Sequence, residues 1–374
     1  MKVLHLGKFY PIAGGVEKVM YDLCTGLSAR GITSDMLCAS IHNRYEEIKV
    51  NDRFTLFCTA SWCKAFATML SLQMITKLRN ICNEYDIIHV HHPDPMACLA
   101  LLLSGYKGKV VLHWHSDILK QSFLLKFYEP LQSWLINRAD LVFGTTPKYI
   151  ASSKPLENVQ EKCVALPIGI EEPKYYSIRA KEIKKQYEGK KLIFSLGRLV
   201  EYKGFEYLID AIGLLPDDYC CVIGGNGPLK DDLQRKINEN NWQERIKLAG
   251  RLSDEDVNAY FEACDIFALS SIMKTEAFAI VQIEAMAFSK PVISCDIEGS
   301  GVSWVNKDGV SGIVVPIRDG KALADGIRRV LSDKQYYNSL CVSSHRRYKE
   351  LFQIDKMIDG CLEGYKKITI ATHG

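Results

Sequence analysis

Apolar residues recur along this chain at two alternating spacings. Short unbroken runs, such as Lys2 to Gly7 and the run ending at Leu196, have the length of buried strands. Stretches with apolar side chains three and four apart follow them. Val16, Val19, Met20, Leu23 and Leu27, for example, mark a helix over Gly15 to Arg30. Further strands are predicted at Ser34 to Ser40, Phe54 to Ala60, Asp86 to His91 and Lys109 to His115, with helical stretches between. Such alternation specifies an α/β protein with a parallel, doubly wound sheet, whose ligands sit at the C-terminal ends of strands. At Leu166 to Pro173 two prolines and a glycine interrupt the pattern, and a polar, charge-rich stretch runs on to Lys191. The alternation then restarts with KLIFSLGRLVEYKGFEYLIDAI and continues through VIGGNGPLKDDL and LAGRLSDEDVNAYFEACDIFALSS, where Ser253 and Asp256 form a helix cap. From Lys334 the chain reads as charged helix. With 374 residues, two domains, each with its own core, are the expectation.

Composition adds little beyond a globular class, with 47% apolar and 24% charged residues. A net charge of +3 does not point to nucleic acid, but the charge is uneven: 24 basic against 18 acidic residues up to position 190, and 23 against 26 beyond it. A mildly basic first half suits an anionic acceptor or the inner face of an anionic membrane. Thirteen scattered cysteines without a C-x-x-C pair read as reduced core residues of a cytoplasmic protein. The opening MKVLHLGKFYP is interrupted too soon by Lys8 for a signal peptide, and Met96 to Ser104 is half a bilayer span. Two basic-apolar stretches could touch a membrane peripherally or simply pack on a sheet: Trp62 to Arg79, and the segment after His115 that carries Lys120, Phe123, Leu124, Lys126, Phe127 and Tyr128.

The stretch from Ser270 to Pro291, SSIMKTEAFAIVQIEAMAFSKP, carries the sharpest chemistry. Glu276 and Glu284 are eight positions apart, and the almost wholly apolar run Phe278 to Phe288 reads as a buried helix with Glu276 just before it and Glu284 about two turns inside. A lone carboxylate in such surroundings needs a partner, and hydroxyls would serve. The helix start, around Phe278, Ala279, Ile280 and Val281, offers free NH groups and the positive dipole end to an anion. Hydroxyls at either end and phosphate between describe a nucleotide sugar. Arg198 and Lys203 bracket a turn at a strand's C-terminal end, where a diphosphate is clamped. In the first half, Gly14-Gly15 opens a helix with flexible backbone, a second anion-friendly place, and it is not a G-x-G-x-x-G fingerprint. HVHH at 89–92 and HWHSD at 113–117 suggest zinc, but alternation turns successive residues to opposite faces and no third cluster completes a ligand set. His89, His91 and His92 are therefore read as structural or cleft-lining, and no metal is expected.

E-x7-E within TEAFAIVQIEAMA, with G-R-x5-K-G upstream, resembles the donor-site motifs of the GT-4 family of retaining glycosyltransferases. The resemblance covers nearly the whole chain and is most specific in the second half. It implies the GT-B fold, two facing Rossmann-like domains with a cleft between them: residues 1–168 for the acceptor, joined by a final helix of about 354–374, and 169–353 for the donor. By position, Glu276 meets the donor sugar, Glu284 the ribose hydroxyls, and Arg198 and Lys203 the departing diphosphate. His115 lies near the sugar, Gly14 and Gly15 face the donor phosphates and acceptor, and the loop around Leu252 lies by the base. The implied activity is transfer of a sugar from a nucleotide-diphosphate sugar, GDP-mannose or a related GDP-sugar by preference, to a glycan or lipid-linked acceptor in cell-surface polysaccharide synthesis. No cofactor or metal is implied. A nucleotide-sugar epimerase of the same fold, or a non-catalytic nucleotide-sugar-binding subunit, would share these residues. Two departures stand out: Ile168 where an asparagine is common, and Trp304, in GSGVSWVN, where an acid is frequent.

Overall fold

A computed structural model describes residues 1–12, 14–65, 68–118 and 122–370. The chain divides into two compact units, Met1–Gly169 with the C-terminal segment from Ile354, and Ile170–Gln353.

The first unit is built on strands β1 (Lys2–Tyr10), β2 (Thr33–Ser40), β3 (Glu46–Asn51) and β4 (Phe54–Thr59), a two-stranded hairpin β5 (Cys63–Ala65) and β6 (Thr68–Leu70), then β7 (Ile87–His92), β8 (Lys109–Trp114), β9 (Leu141–Gly144) and β10 (Cys163–Ala165). Its main sheet runs β10-β9-β8-β7-β1-β2-β4-β3, parallel throughout except for β3, which pairs antiparallel with β4. That edge strand was not expected. Its residues alternate between exposed and half-buried, as an uncovered edge permits, and its Glu46-Glu47 start carries little strand signal. The basic-apolar stretch Trp62 to Arg79 is the hairpin followed by a helix over Leu72–Ile81 that Ser71 caps. Within the two basic-apolar stretches, Phe66 and Lys120 lie outside the described residues.

The last helix, Ile354–Ile370, belongs to this unit by its packing. It lies on the helix Gly15–Ala29, where a Cβ on Gly26 would overlap Ile358 Cδ1 at 1.9 Å. Arg30 holds it with ion pairs to Asp355 (2.7 Å) and Asp359 (2.8 Å), while Tyr365, wholly buried, reaches the sheet.

The second unit carries an all-parallel six-stranded sheet ordered β13-β12-β11-β14-β15-β16. Its strands are β11 (Lys191–Leu196), β12 (Tyr219–Gly224), β13 (Ile246–Gly250), β14 (Ile266–Leu269), β15 (Val292–Asp296) and β16 (Gly312–Pro316). The central strands are apolar on both faces and buried throughout, which is why they read as unbroken runs. Strand order reverses between β11 and β14, so the loops leaving these two strands open the crevice where doubly wound sheets bind ligands.

Candidate functional site

At that switch point the loop after β11 and the loop after β14 lock together. Gly204, at φ 60°, ends the turn Glu201–Lys203, and a Cβ there would lie 2.3 Å from the Ser270 carbonyl, so only glycine lets the two loops approach. Ser270 Oγ donates to the Lys203 carbonyl (2.9 Å) and the Ile272 NH to that of Tyr202 (2.8 Å). A third loop follows β12: Gly225 has φ 128°, and a Cβ on it would sit 1.8 Å from the Gly197 carbonyl oxygen.

The side chains so placed form a charged pair. Lys203 Nζ lies 2.5 Å from Glu276 Oε2, with both side chains about 10% exposed, and Ser271 Oγ donates to the same carboxylate oxygen at 2.8 Å. Ser300 Oγ donates to the Glu276 carbonyl and the Gly301 NH to that of Ala277 (2.9 Å), so the turn in GSG props the Glu276 loop from behind. Arg198, directly after β11, is exposed. Among the described residues no ion pair holds it.

The helix after Glu276 spans Ile280–Ala287, starting two residues later than the apolar run suggests. Ala279, its N-cap, has φ 63° and ψ 79°, a left-handed conformation that costs a non-glycine residue about 1 kcal/mol or more. The first helical NH groups, which lack intrahelical acceptors, follow directly on this step. Glu284 accordingly lies little more than one turn into the helix, not two, and is half-buried. Its carboxyl is pushed up to about 7, by burial first and by the Asp254 carboxylate second. Among the described residues no cation pairs with it. Leu252 lies against Gly224 at the end of β12, its Cδ1 2.7 Å from where a Cβ would be. Trp304, in the short helix Val302–Val305, sits under the Arg347 guanidinium at 5.3 Å and meets Phe352 edge-on. The position common to an acid is here taken up by packing.

In the first unit, Gly14 N-caps the helix Gly15–Ala29 in extended conformation. The buried Glu17 carboxylate turns back on it, 2.7 Å from where a Cβ on Gly14 would stand, so this helix start already holds an anionic group of its own. The histidines assemble more fully than the sequence indicated. The reading by strand alternation is right for His92, which turns to the other face and stacks on Trp114 at 3.8 Å. It missed β1, whose His5 lies in register with His89 on β7, while His91 pairs with His113 on β8. His5, His89, His91, His113 and His115 therefore share one face of the sheet, buried, with every pKa pushed down by burial, to about 3 for His5 and His113. Ring nitrogens of His5, His89 and His91, and of His91, His113 and His115, lie within 4.8 Å of one another. The ring planes lie at 9–39° to one another, His5 being tilted against His89 and His91. Several of their nitrogens already meet one another, His5 Nδ1 and His91 Nε2 at 2.9 Å and His91 Nδ1 and His115 Nε2 at 3.0 Å, as hydrogen-bonded neutral rings do.

Two family models match the chain, "Glycosyltransferase Family 4" over residues 13–171 and "Glycosyl transferases group 1" over residues 177–345. The O-antigen chain mannosyltransferase C of Escherichia coli is 34% identical over 98% of both chains. The chain belongs to the family 4 (group 1) glycosyltransferases. A D-rhamnosyltransferase of Pseudomonas aeruginosa is 29% identical over 94% of this glycosyltransferase and 92% of its own length. In fold, Anabaena HepE with UDP superposes with a TM-score of 0.79 at 18% identity, covering 98% of this chain and 100% of that one. This glycosyltransferase therefore has the GT-B fold of two Rossmann-like domains. Among its described residues no helix is long and apolar enough to cross a membrane.

Sequence reasoning overlooked four residues of the glycosyltransferase. Ser271 and Ser300, which hold Glu276, lie in or beside motifs already noted, but a serine bond to a loop carries no spacing signature. His5 and Tyr365 join the histidine row from β1 and from the final helix, 84 and 276 positions from His89. Only the shared H-x-H alternation on β7 and β8 hinted that a neighbouring strand could contribute.

Proposed function

We propose that this glycosyltransferase moves a mannose-type sugar, with retention of configuration, from a GDP-sugar to a glycan or lipid-linked acceptor in O-antigen-type polysaccharide synthesis. The Lys203–Glu276 pair, set beside the strained helix start at Ala279, carries the reading. Without donor, the two residues satisfy each other. With donor, the diphosphate would take the Lys203 charge, and Glu276, still steadied by Ser271, would turn to the sugar hydroxyls. Arg198, Lys203 and the NH groups of Ile280 and Val281 would then meet the negative charge growing on the diphosphate as the glycosidic bond breaks. A front-face displacement, in which the departing phosphate oxygen takes the acceptor's proton, needs no protein nucleophile and, with these cations present, no metal. Glu284 would accept from the ribose hydroxyls, Leu252 would flank the base, and His115 would contact the sugar. Retention follows from the family's chemistry. The preference for a mannose-type sugar is supported by the relatives named for mannosyl and D-rhamnosyl transfer, D-rhamnose being 6-deoxymannose. Work at the inner membrane face, through the basic first unit, is part of this proposal.

Thermal-shift screening of GDP- and UDP-sugars, followed by transfer to a lipid-linked acceptor with the product anomer read by NMR, tests it. A shift with GDP-mannose and an axial, α-linked product is expected. Turnover of donor without acceptor would replace this reading with an epimerase.

A further inference from the structure

Five imidazoles on one sheet face are more than one sugar contact requires, and the hydrogen bonds of four of them, all but His113, form a directed row through Tyr365. His115 Nε2 meets His91 Nδ1 at 3.0 Å, His91 Nε2 meets His5 Nδ1 at 2.9 Å, and His5 Nε2 lies 3.5 Å from the Tyr365 hydroxyl. That hydroxyl lies 2.5 Å from His89 Nδ1. The row ends on two buried nitrogens, His115 Nδ1 and His89 Nε2, that have no partner among the described residues. We infer that Tyr365, on the final helix, sets the tautomer of His115 through His5 and His91, so that His115 offers its bare Nδ1 as acceptor to a hydroxyl of the transferred sugar.

The sense of the row follows from proton counting. A neutral imidazole has one N–H and one lone pair, and a phenol has one O–H. Phenol is the stronger donor and imidazole nitrogen the stronger acceptor, so the short Tyr365–His89 bond runs from O–H to Nδ1. With its one proton used, the Tyr365 oxygen can only accept, and His5 must donate to it from Nε2. His5 Nδ1 is then bare and accepts from His91 Nε2–H, and His91 Nδ1 in turn accepts from His115 Nε2–H. Cys361 bonds the same phenol; a phenol proton spent on that sulfur rather than on His89 still leaves the oxygen only able to accept from His5, so the sense is kept. Burial keeps every ring neutral, so the order is not lost to protonation. Of the five rings only His115 has any exposure, 5%, so a ligand can approach the histidines only at this ring. Tyr365 is thus a positioning residue. The sugar contact rests on the functional reading above; the tautomer order does not.

Long-range 1H–15N correlation spectra of the full-length, 15N-histidine-labelled, ligand-free protein give the tautomer of each ring. His115→Gln assigns the signals of that ring by their loss. The wild-type ring should show Nε2 protonated and Nδ1 bare, and Tyr365→Phe, which keeps the buried ring, should shift it toward the Nδ1–H form. His5→Gln, which cuts the row midway, should do the same and serves if Tyr365→Phe does not fold. An Nδ1–H wild-type ring, or a pattern unchanged in the folded variants, overturns the inference. In transfer assays Tyr365→Phe should lower kcat about tenfold, the worth of one hydrogen bond, with donor KM little changed. A shifted tautomer with unaltered kcat would remove the sugar contact and leave the tautomer order standing.

Discussion

Replacing Glu284 by glutamine keeps its shape and removes its charge, and the structure fixes what should follow. A carboxyl titrating at about 7 instead of 4.5 has its charged form disfavoured by about 3 kcal/mol, which partial exposure to solvent reduces to about 1–2 kcal/mol. Because this pKa is raised in the folded state, stability is greatest below the unfolded value. It falls as pH climbs from about 4.5 toward 7 and is flat above that. Glu284→Gln should therefore melt higher than wild type at pH 8 by about 1–2 kcal/mol, and the gap should close toward pH 5. Binding moves the other way. The ionised carboxylate is the better acceptor for ribose hydroxyls, so wild-type affinity for an intact nucleotide sugar should rise about tenfold from pH 6 to pH 8 as Glu284 ionises. The glutamine variant should show no such rise and bind about 1–3 kcal/mol more weakly at pH 8. Calorimetric titration with the nucleotide sugar suits the test, because its diesterified diphosphate does not itself titrate in this range. Normal binding by a variant that unfolds more easily would make Glu284 a structural ion-pair member and refute the ribose assignment.

Alanine at Arg198 or Lys203 should cost about 2–4 kcal/mol of transition-state stabilisation each, seen chiefly in kcat; a change confined to KM would remove the leaving-group role. Because protein cations do the neutralising in the proposed mechanism, transfer should survive EDTA, and loss restored by manganese would contradict that mechanism. Gly225→Ala places a Cβ 1.8 Å from the Gly197 carbonyl at a φ that alanine avoids, so denaturant melts should show a loss of about 2 kcal/mol or more; an unperturbed melt would mean the two loops are not locked there.

Which parts of this protein could be read from its sequence depended on whether the signal was local. Runs such as Lys191–Leu196 and Tyr219–Gly224 are buried on both faces, so they declare themselves as unbroken apolar segments. β3 does not, because an edge strand with alternating exposure can be built from Glu46, Glu47 and Lys49. Glu276, Arg198 and Lys203 could be singled out as candidates because their chemistry is written as fixed spacing around single turns. The helix start was misplaced because Phe278 and Ala279 are apolar yet lie before the first turn, in a left-handed step that hydrophobic periodicity cannot register. The histidine row was half visible. Alternation along β7 sets His92 apart from His89 and His91, but membership of His5 depends on β1 lying next to β7, and that of Tyr365 on how the final helix packs; both are matters of topology.

The Lys203–Glu276 pair leads to a test that separates a working donor site from an inert one. A buried ion pair is stabilising only while both charges are met, so a ligand that opens it must replace both partners. A nucleotide sugar can, offering diphosphate to Lys203 and hydroxyls to Glu276. A nucleoside diphosphate offers only the first and must compete with Glu276 for the lysine. Glu276→Gln removes the competitor, so nucleoside-diphosphate affinity should rise, by about 1 kcal/mol for one charge-assisted bond, while transfer falls because the sugar has lost its acceptor. Ser271, which donates to the same carboxylate oxygen at 2.8 Å, can donate to the glutamine carbonyl as well, so the loop should keep its shape. Titration of the variant with the nucleoside diphosphate, beside its transfer rate, gives both numbers. If affinity for the nucleoside diphosphate drops with activity, Lys203 is positioned by Glu276 rather than restrained by it, and the exchange of partners on donor binding does not occur.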